Sequence, residues 1–281
     1  MQLKPNTLLQ GGKYRIVKEL GSGGFGITYK AVQVSLNRYV AIKEFFMKDF
    51  CVRGSSSTQM SVGFEVSREQ VDRYRRKFLK EARTIAQFKH PHIIRIHDVF
   101  EENGTAYYVV DYYNGDALNK YVECRGKLVE TEALHYIRQI ADALDFVHKM
   151  GFNHFNIKPE NILLDENKNA VLNGFTVPEY YDETSTALII PSAYVPHERY
   201  TRCVVSEFSP ATDIYSLGAI LYNLVTGKTP PEFSVLLEDG FPSFPSFVSN
   251  KVVQAITQAM QLRCKDRPQC VEAFIALLED N

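Results

Sequence analysis

The residues that suggest chemistry begin with Gly21-Ser22-Gly23-Gly24-Phe25-Gly26, whose spacing G-x-G-x-x-G lets backbone amides approach phosphate oxygens without side chains in the way. That spacing also suits an ordinary tight turn or a dinucleotide-binding turn. A dinucleotide turn leads into a helix, whereas Ile27-Thr28-Tyr29-Lys30-Ala31-Val32 reads as a second strand. The cluster is therefore expected to form a hairpin lid over phosphates. The next strand carries Val40-Ala41-Ile42-Lys43, and a lysine pointing inward from an apolar strand must meet an anion or snorkel to water. Glu81 is an available partner, as part of a phosphate site or as an ion pair kept for packing and specificity.

These residues need a sheet and a helix to hold them. Strands are predicted at Tyr14–Leu20, Ile27–Val34 and Tyr39–Phe45, then at Ile93–Phe100 and Ala106–Tyr112 around the turn Glu101-Glu102-Asn103-Gly104. A helix is predicted from about 67 to 88, with Ser67 and Gln70 as a capping box and Phe78, Ala82, Ile85 and Ala86 on its apolar face. Its other face carries Arg73, Arg75, Arg76, Lys77 and Lys80, read as a solvated face or a docking site for an acidic partner. Residues 47–66 contain Arg53-Gly54-Ser55-Ser56-Ser57 and read as a long surface loop. It is either a disordered insertion or a cover built from Phe45, Phe46, Phe50, Val52 and Met60 over the glycine loop or a partner surface. After Asn114-Gly115 the pattern turns helical, at Glu130–Met150, Ala211–Thr226, Lys251–Leu262 and Pro268–Leu278. The expected organisation is α+β: a β-rich segment 1–113 and an α-rich segment 114–281, forming one domain.

The chain has 281 residues, 45% apolar and 23% charged, enough for a large core. Lys and Arg number 32 against 33 Asp and Glu, so no global basic field draws nucleic acid or anionic lipid. Five scattered cysteines form no Cys-x-x-Cys pair, and the histidines lack metal-ligand spacing. No stretch reaches the roughly 18 apolar residues of a membrane helix. A cytoplasmic protein with no membrane segment in this chain and no metal site is expected.

The order of motifs resembles a eukaryotic-type protein kinase domain from Tyr14 to about Leu278, a two-lobed fold with a β-rich N-lobe and an α-rich C-lobe. Gly24-Phe25-Gly26-Ile27-Thr28-Tyr29 and Asn161-Ile162-Leu163-Leu164-Asp165 are similar to bacterial serine/threonine kinases, which implies a bacterial source. The resemblance implies that Lys43 holds ATP phosphates and is itself held by Glu81. It implies a nucleotide site of Gly21, Gly23, Gly26, Thr28, Ala41, Lys43, Val110, Asp111, Tyr113, Asn161 and Leu163, with adenine beside the hinge Asp111-Tyr112-Tyr113. His154-Phe155-Asn156-Ile157-Lys158-Pro159-Glu160-Asn161 matches the catalytic loop, Gly174-Phe175-Thr176 the metal-binding Asp-Phe-Gly, and Val195-Pro196-His197-Glu198 the Ala-Pro-Glu motif. It also pairs Glu198 with Arg267, and forms an apolar column from Ile85, Ile96, His154 and Phe175 anchored to Asp213.

Two departures fall on the essential carboxylates. Asn156 replaces the aspartate that accepts the substrate hydroxyl, and Gly174 replaces the one that holds Mg²⁺. Phe155 replaces the arginine that pairs with a phosphorylated activation segment, where Thr184, Ser185 and Thr186 lie. Lys43, Glu81, Lys158 and Asn161 remain as remnants. The resemblance thus implies a pseudokinase, a binding, scaffold or nucleotide-responsive module with an unidentified protein partner. ATP would bind weakly and with little Mg²⁺ dependence. The alternative is an active serine/threonine protein kinase of weak or unusual activity.

Overall fold

The computed structural model describes residues 2–24, 26–55, 57–63, 67–175, 192–199 and 209–279. It divides into two units, one of residues 1–89 and 94–112, the other of residues 90–93 and 113–281.

The first unit contains strands β1 (Leu8–Leu9), β2 (Tyr14–Ser22), β3 (Gly26–Gln33), β4 (Arg38–Phe45), β5 (Cys51–Arg53) and β6 (Met60–Val62), helix α1 (Arg68–Ile85), and strands β7 (Ile96–Glu102) and β8 (Thr105–Asp111). Six strands form an antiparallel sheet in the order β1-β2-β3-β4-β8-β7, with short connections between β1, β2, β3 and β4 and between β7 and β8, while β5, β6 and α1 intervene between β4 and β7. One face of its central strands carries Tyr29, Ala31, Val40, Ile42, Tyr107 and Val109 into the core. The register puts Thr28 opposite Lys43 and Lys43 opposite Tyr108, with Lys30, Ala41 and Val110 aligned in the next rank. Directly opposed residues share a face, so the polar remnants lie on the side away from that core. Ser67 caps α1 by accepting the Gln70 amide at 3.1 Å. Phe78 on α1 packs its ring 4.9 Å from Tyr108 and 5.8 Å from Phe45.

The described part of segment 47–66 is not the unstructured loop its composition suggests. β5 and β6 pair antiparallel, and Phe45, Phe46, Met47, Cys51 and Met60 are buried in the core, while Val52 remains exposed. Its anchor is polar. Glu44 and Arg53 form an ion pair, with 0% and 1% of their side chains exposed. The Glu44 carboxylate accepts hydrogen bonds from Tyr29 at 2.7 Å, Tyr107 at 2.8 Å and both terminal nitrogens of Arg53, one at 3.2 Å. Arg53 also donates to the Thr58 carbonyl at 2.8 Å, and Tyr29 accepts the Leu3 amide at 3.1 Å. Burial and the adjacent carboxylate raise the pKa of both tyrosines, keeping them as protonated donors. Four donors on one buried carboxylate tie the hairpin and the chain start to the sheet.

The second unit holds α2 (Leu118–Arg125), α3 (Glu130–Lys149), β9 (Ile162–Leu164), β10 (Ala170–Leu172), α4 (Pro210–Thr226), α5 (Phe233–Glu238), α6 (Asn250–Ala259) and α7 (Val271–Ala276). α4 is buried on every side from Ala211 to Val225, which fits its apolar sequence, and it packs against α3 and α6. α2, α5 and the three-residue strands of the β9–β10 hairpin are too short to show a period in the sequence. No helix of the described residues is long and apolar enough to cross a membrane.

Candidate functional site

In the first unit the glycine cluster spans the β2–β3 turn, closed by a 2.9 Å bond from the Gly23 amide to the Gly26 carbonyl. This is a hairpin, as the strand-like sequence after it requires. Gly21 and Gly23 face open space, whereas a Cβ on Gly26 would lie 2.7 Å from the Glu44 carbonyl. Gly26 is thus a glycine because β3 and β4 approach too closely for a side chain there.

Lys43 and Glu81 do not close a salt bridge. The Lys43 ammonium lies 5.5 Å from the centroid of the Tyr108 ring. The phenol of Tyr108 raises the lysine's pKa more than Glu81 does, and burial opposes both. Glu81 is half-buried, and desolvation pushes its carboxyl up to about 7 even though Lys43 pulls it down. The expected ion pair is therefore replaced by a looser cluster of Lys43, Glu81 and Tyr108. Tyr108 was hidden in the sequence, although its alternation with Val110 would assign it to the same face as the lysine.

Ala41 and Val110 stand opposite one another in the sheet, and Asp111 ends β8, where its carboxylate meets His97 at 2.5 Å. Beside it, the Lys30 ammonium sits 3.9 Å from the Tyr39 ring and 4.2 Å from the Tyr112 ring, a clamp that fixes Tyr112. Thr28 flanks Lys43 in β3. Tyr113 belongs to the second unit, as do Asn161 and Leu163.

In the second unit the loop from His154 to Asn161 is organised by Asp213 on α4. Its buried carboxylate accepts the His154 amide at 2.7 Å, the Phe155 amide at 2.8 Å and His148 Nε2 at 2.9 Å. Burial alone would raise its pKa, but the His148 hydrogen bond, with charges and amides behind it, holds Asp213 below the usual carboxylate range. The two amide bonds over-determine Phe155, which holds φ at +57°. His154 is fully buried, packs its ring tilted 4.1 Å from that of Phe175 and is pushed down to about 4 by desolvation. Its Nδ1 accepts the Asn156 amide at 3.2 Å, which leaves Nε2–H to donate to the Asn173 carbonyl at 3.1 Å.

Asn156, Asn161 and Gly174 converge. Asn156 Nδ2 donates to the Gly174 carbonyl and Asn161 Nδ2 to the Asn156 carbonyl, both at 2.8 Å. Gly174 has φ of +75°, and a Cβ there would come within 2.7 Å of Asn161 Cγ and Oδ1. Lys158 is half-buried just before the turn Pro159–Asn161. This arrangement offers amide donors and backbone carbonyls, and none of these three side chains is a carboxylate. A divalent cation that favours charged oxygen ligands does not fit it. Among the described residues, no cluster of three His, Cys, Asp or Glu side chains that could hold a metal is found.

A family model described as "Protein kinase domain" matches residues 14–274. The chain belongs to the protein kinase domain family. It is 30% identical over 263 residues to a probable serine/threonine-protein kinase of Clostridium acetobutylicum, covering 91% of this chain and 37% of that protein. It is 32% identical over 228 residues to serine/threonine-protein kinase PknA of Mycobacterium tuberculosis, covering 78% of this chain and 48% of PknA. The chain thus spans less than half the length of these relatives. The structure titled "PpkA-294 apo form" superposes with a TM-score of 0.84 at 28% identity, covering 99% of each chain. The bacterial serine/threonine kinase type and the fold, a β-sheet N-lobe and a helical C-lobe, follow from these matches.

Further landmarks of this kinase domain lie in the second unit. Glu198 and Arg267 form a bidentate pair at 2.5 and 3.0 Å, with no exposure of the arginine side chain. The Arg199 guanidinium lies 4.8 Å from the Phe155 ring. Neither Arg199 nor the His148 contact to Asp213 was flagged by the sequence, because each partner is more than 40 residues away. Thr176, Thr184, Ser185 and Thr186 lie outside the described residues.

Proposed function

We propose that this kinase domain has lost efficient phosphoryl transfer and acts as a pseudokinase, a nucleotide-responsive binding or scaffold module. The observation that carries the reading is Asn156: its amide donates to the Gly174 carbonyl, at the position where the family's reaction uses a carboxylate to accept a proton. The missing carboxylate at Gly174 supports the same reading, since Asn161 alone is a weak ligand for Mg²⁺. Lys43 on its strand, the glycine hairpin and the hinge supply groups suited to ATP, held weakly and with little help from Mg²⁺.

A second reading is an active serine/threonine kinase, and the names of its relatives favour this more directly than the first. Phosphoryl transfer through a loose transition state rests largely on positioning, so a lost aspartate need not abolish it. The test is ³²P transfer from γ-labelled ATP beside a Lys43→Ala control, with ATP titration by calorimetry in EDTA and in excess Mg²⁺. The pseudokinase reading expects no transfer above the control and less than a threefold change in affinity with Mg²⁺. Transfer well above the control would establish the second reading, and a tenfold gain in affinity with Mg²⁺ would overturn the assignment of Gly174 as a lost metal position.

A further inference from the structure

Charge is divided very unevenly between the two units. The first carries 18 Lys and Arg against 11 Asp and Glu, the second 14 against 22. A chain with a formal charge of −1 thus holds a surplus of seven positive charges in one unit and eight negative charges in the other.

The positive surplus has a clear focus on α1. Arg73, Arg76, Lys80 and Arg83 recur at i, i+3, i+7 and i+10, a stripe roughly opposite the buried Val71, Ala82 and Ile85. Arg76, Lys80 and Arg83 are exposed. The second unit has an open groove of about 410 Å³ along α3 and α7, with an apolar floor including Ala141 and Ile275 and a rim in which Asp142, Asp145, Glu272 and Glu279 outnumber one arginine, Arg138. Lys149 bridges Asp145 at 2.5 Å and Glu272 at 3.1 Å, and His90 meets Asp142 at 3.2 Å, yet Asp142 and Glu272 are still 65% and 59% exposed. An apolar floor with an acidic rim suits arginine, whose stem lies on carbon while its planar head meets carboxylates.

We infer that the α1 stripe of one copy docks into the α3–α7 groove of a second copy. Both halves of the complementary pair occur on the same chain with nearly equal and opposite charge, which favours a second copy over an unrelated acidic partner. Nucleic acid would be attracted to the stripe but repelled by the acidic unit. Such a contact joins two different surfaces, so it adds subunits head to tail. It does not depend on whether the domain transfers phosphate.

The test is sedimentation velocity on the full 281-residue chain from 10 to 200 μM, in 50 and 300 mM NaCl. Self-association is expected at low salt and should weaken at least tenfold at high salt. The variants Arg76→Glu with Arg83→Glu, and Asp142→Lys with Glu272→Lys, should each be monomeric alone. Mixed in equal amounts they should associate, because the first keeps the groove and the second keeps the stripe. If either pair fails to fold by circular dichroism, Lys80→Glu and Glu279→Lys serve the same design. The inference is overturned if the wild type stays monomeric across the range, if a reversed variant alone associates like the wild type, or if the mixture stays monomeric. Binding of α1 only to an added acidic protein or RNA, without self-association, would overturn it as well.

Discussion

Replacing Arg53 tests whether one buried ion pair holds the β5–β6 hairpin in place. Arg53→Met keeps the side chain's length and bulk but removes the guanidinium, leaving the fully buried Glu44 carboxylate with only the Tyr29 and Tyr107 hydroxyls. Two charge-assisted hydrogen bonds, each worth about 1.5–3 kcal/mol, disappear, and the stranded charge keeps its desolvation cost. The loss of the bond to the Thr58 carbonyl also frees the serine loop. A destabilisation of about 3–5 kcal/mol is expected. Glu44→Gln should be costly for the converse reason, an arginine stranded at 1% exposure. The double variant removes both charges from a site already lined by Phe46 and Cys51, so it should cost less than the two single changes together, with a coupling energy of about 2–3 kcal/mol. Urea unfolding followed by circular dichroism gives all four corners of the cycle, and proteolysis of the 54–59 loop reports whether the hairpin loosens first. Single variants within about 1 kcal/mol of wild type, or additive effects, would refute the argument, because the hairpin would then be held by its apolar residues alone.

Two more experiments probe the second unit. Restoring both carboxylates with Asn156→Asp and Gly174→Asp should recover little autophosphorylation and destabilise the chain by about 1–3 kcal/mol: a side chain at φ +75° is strained, and its Cβ would force Asn161 off its bond to the Asn156 carbonyl. Adding Thr176→Gly separates a chemical lesion from a backbone one; full activity and undiminished stability in the double variant would refute this view of Gly174. The pH experiment concerns His154, pushed down to about 4 by burial, against about 6.5 in an unfolded chain. The unfolded state binds that proton first, so the stability His154 contributes is complete above pH 6.5 and is lost progressively down to pH 4, by about 3 kcal/mol. Glu81 has the opposite sign, losing its contribution as pH rises toward 7, and Asp213 acts only below the usual carboxylate range, so the diagnostic is wild type minus His154→Gln. An identical acid profile for the two proteins would show that His154 is not held neutral.

The legible part of this molecule is the part with a period or a motif. β2, β3, β4 and β8, helix α1 and the long helices α3 and α4 follow their predicted spans within a few residues because each has a repeated apolar face. Ser67 caps where the capping box expects it. What was not legible depends on distant partners. Serine-rich composition conceals the β5–β6 hairpin, because its order comes from Arg53 meeting Glu44, and no local pattern says that the arginine of Cys51-Val52-Arg53 will be buried. The sequence offers Glu81 as a partner for Lys43, but how closely they approach is decided by where α1 sits on the sheet and by Tyr108, which no motif includes.

The second unit holds the loop from His154 to Asn161 in a fixed backbone frame. Phe155 at φ +57° holds a conformation that residues other than glycine rarely adopt, and it is enforced by two amides on one buried aspartate, whereas Gly174 reaches φ +75° without strain because it has no Cβ. Strain of that kind persists only if the surrounding packing pays for it, and here the payment comes from Asp213, which His148 holds in turn. A binding module needs this frame as much as an enzyme does, since the frame fixes the His154–Phe175 ring contact. The carboxylates are needed only for transfer. Retained geometry therefore argues for a shape that is still used, and it leaves the choice between module and enzyme to the two positions, Asn156 and Gly174, at which the frame carries an amide and a hydrogen atom.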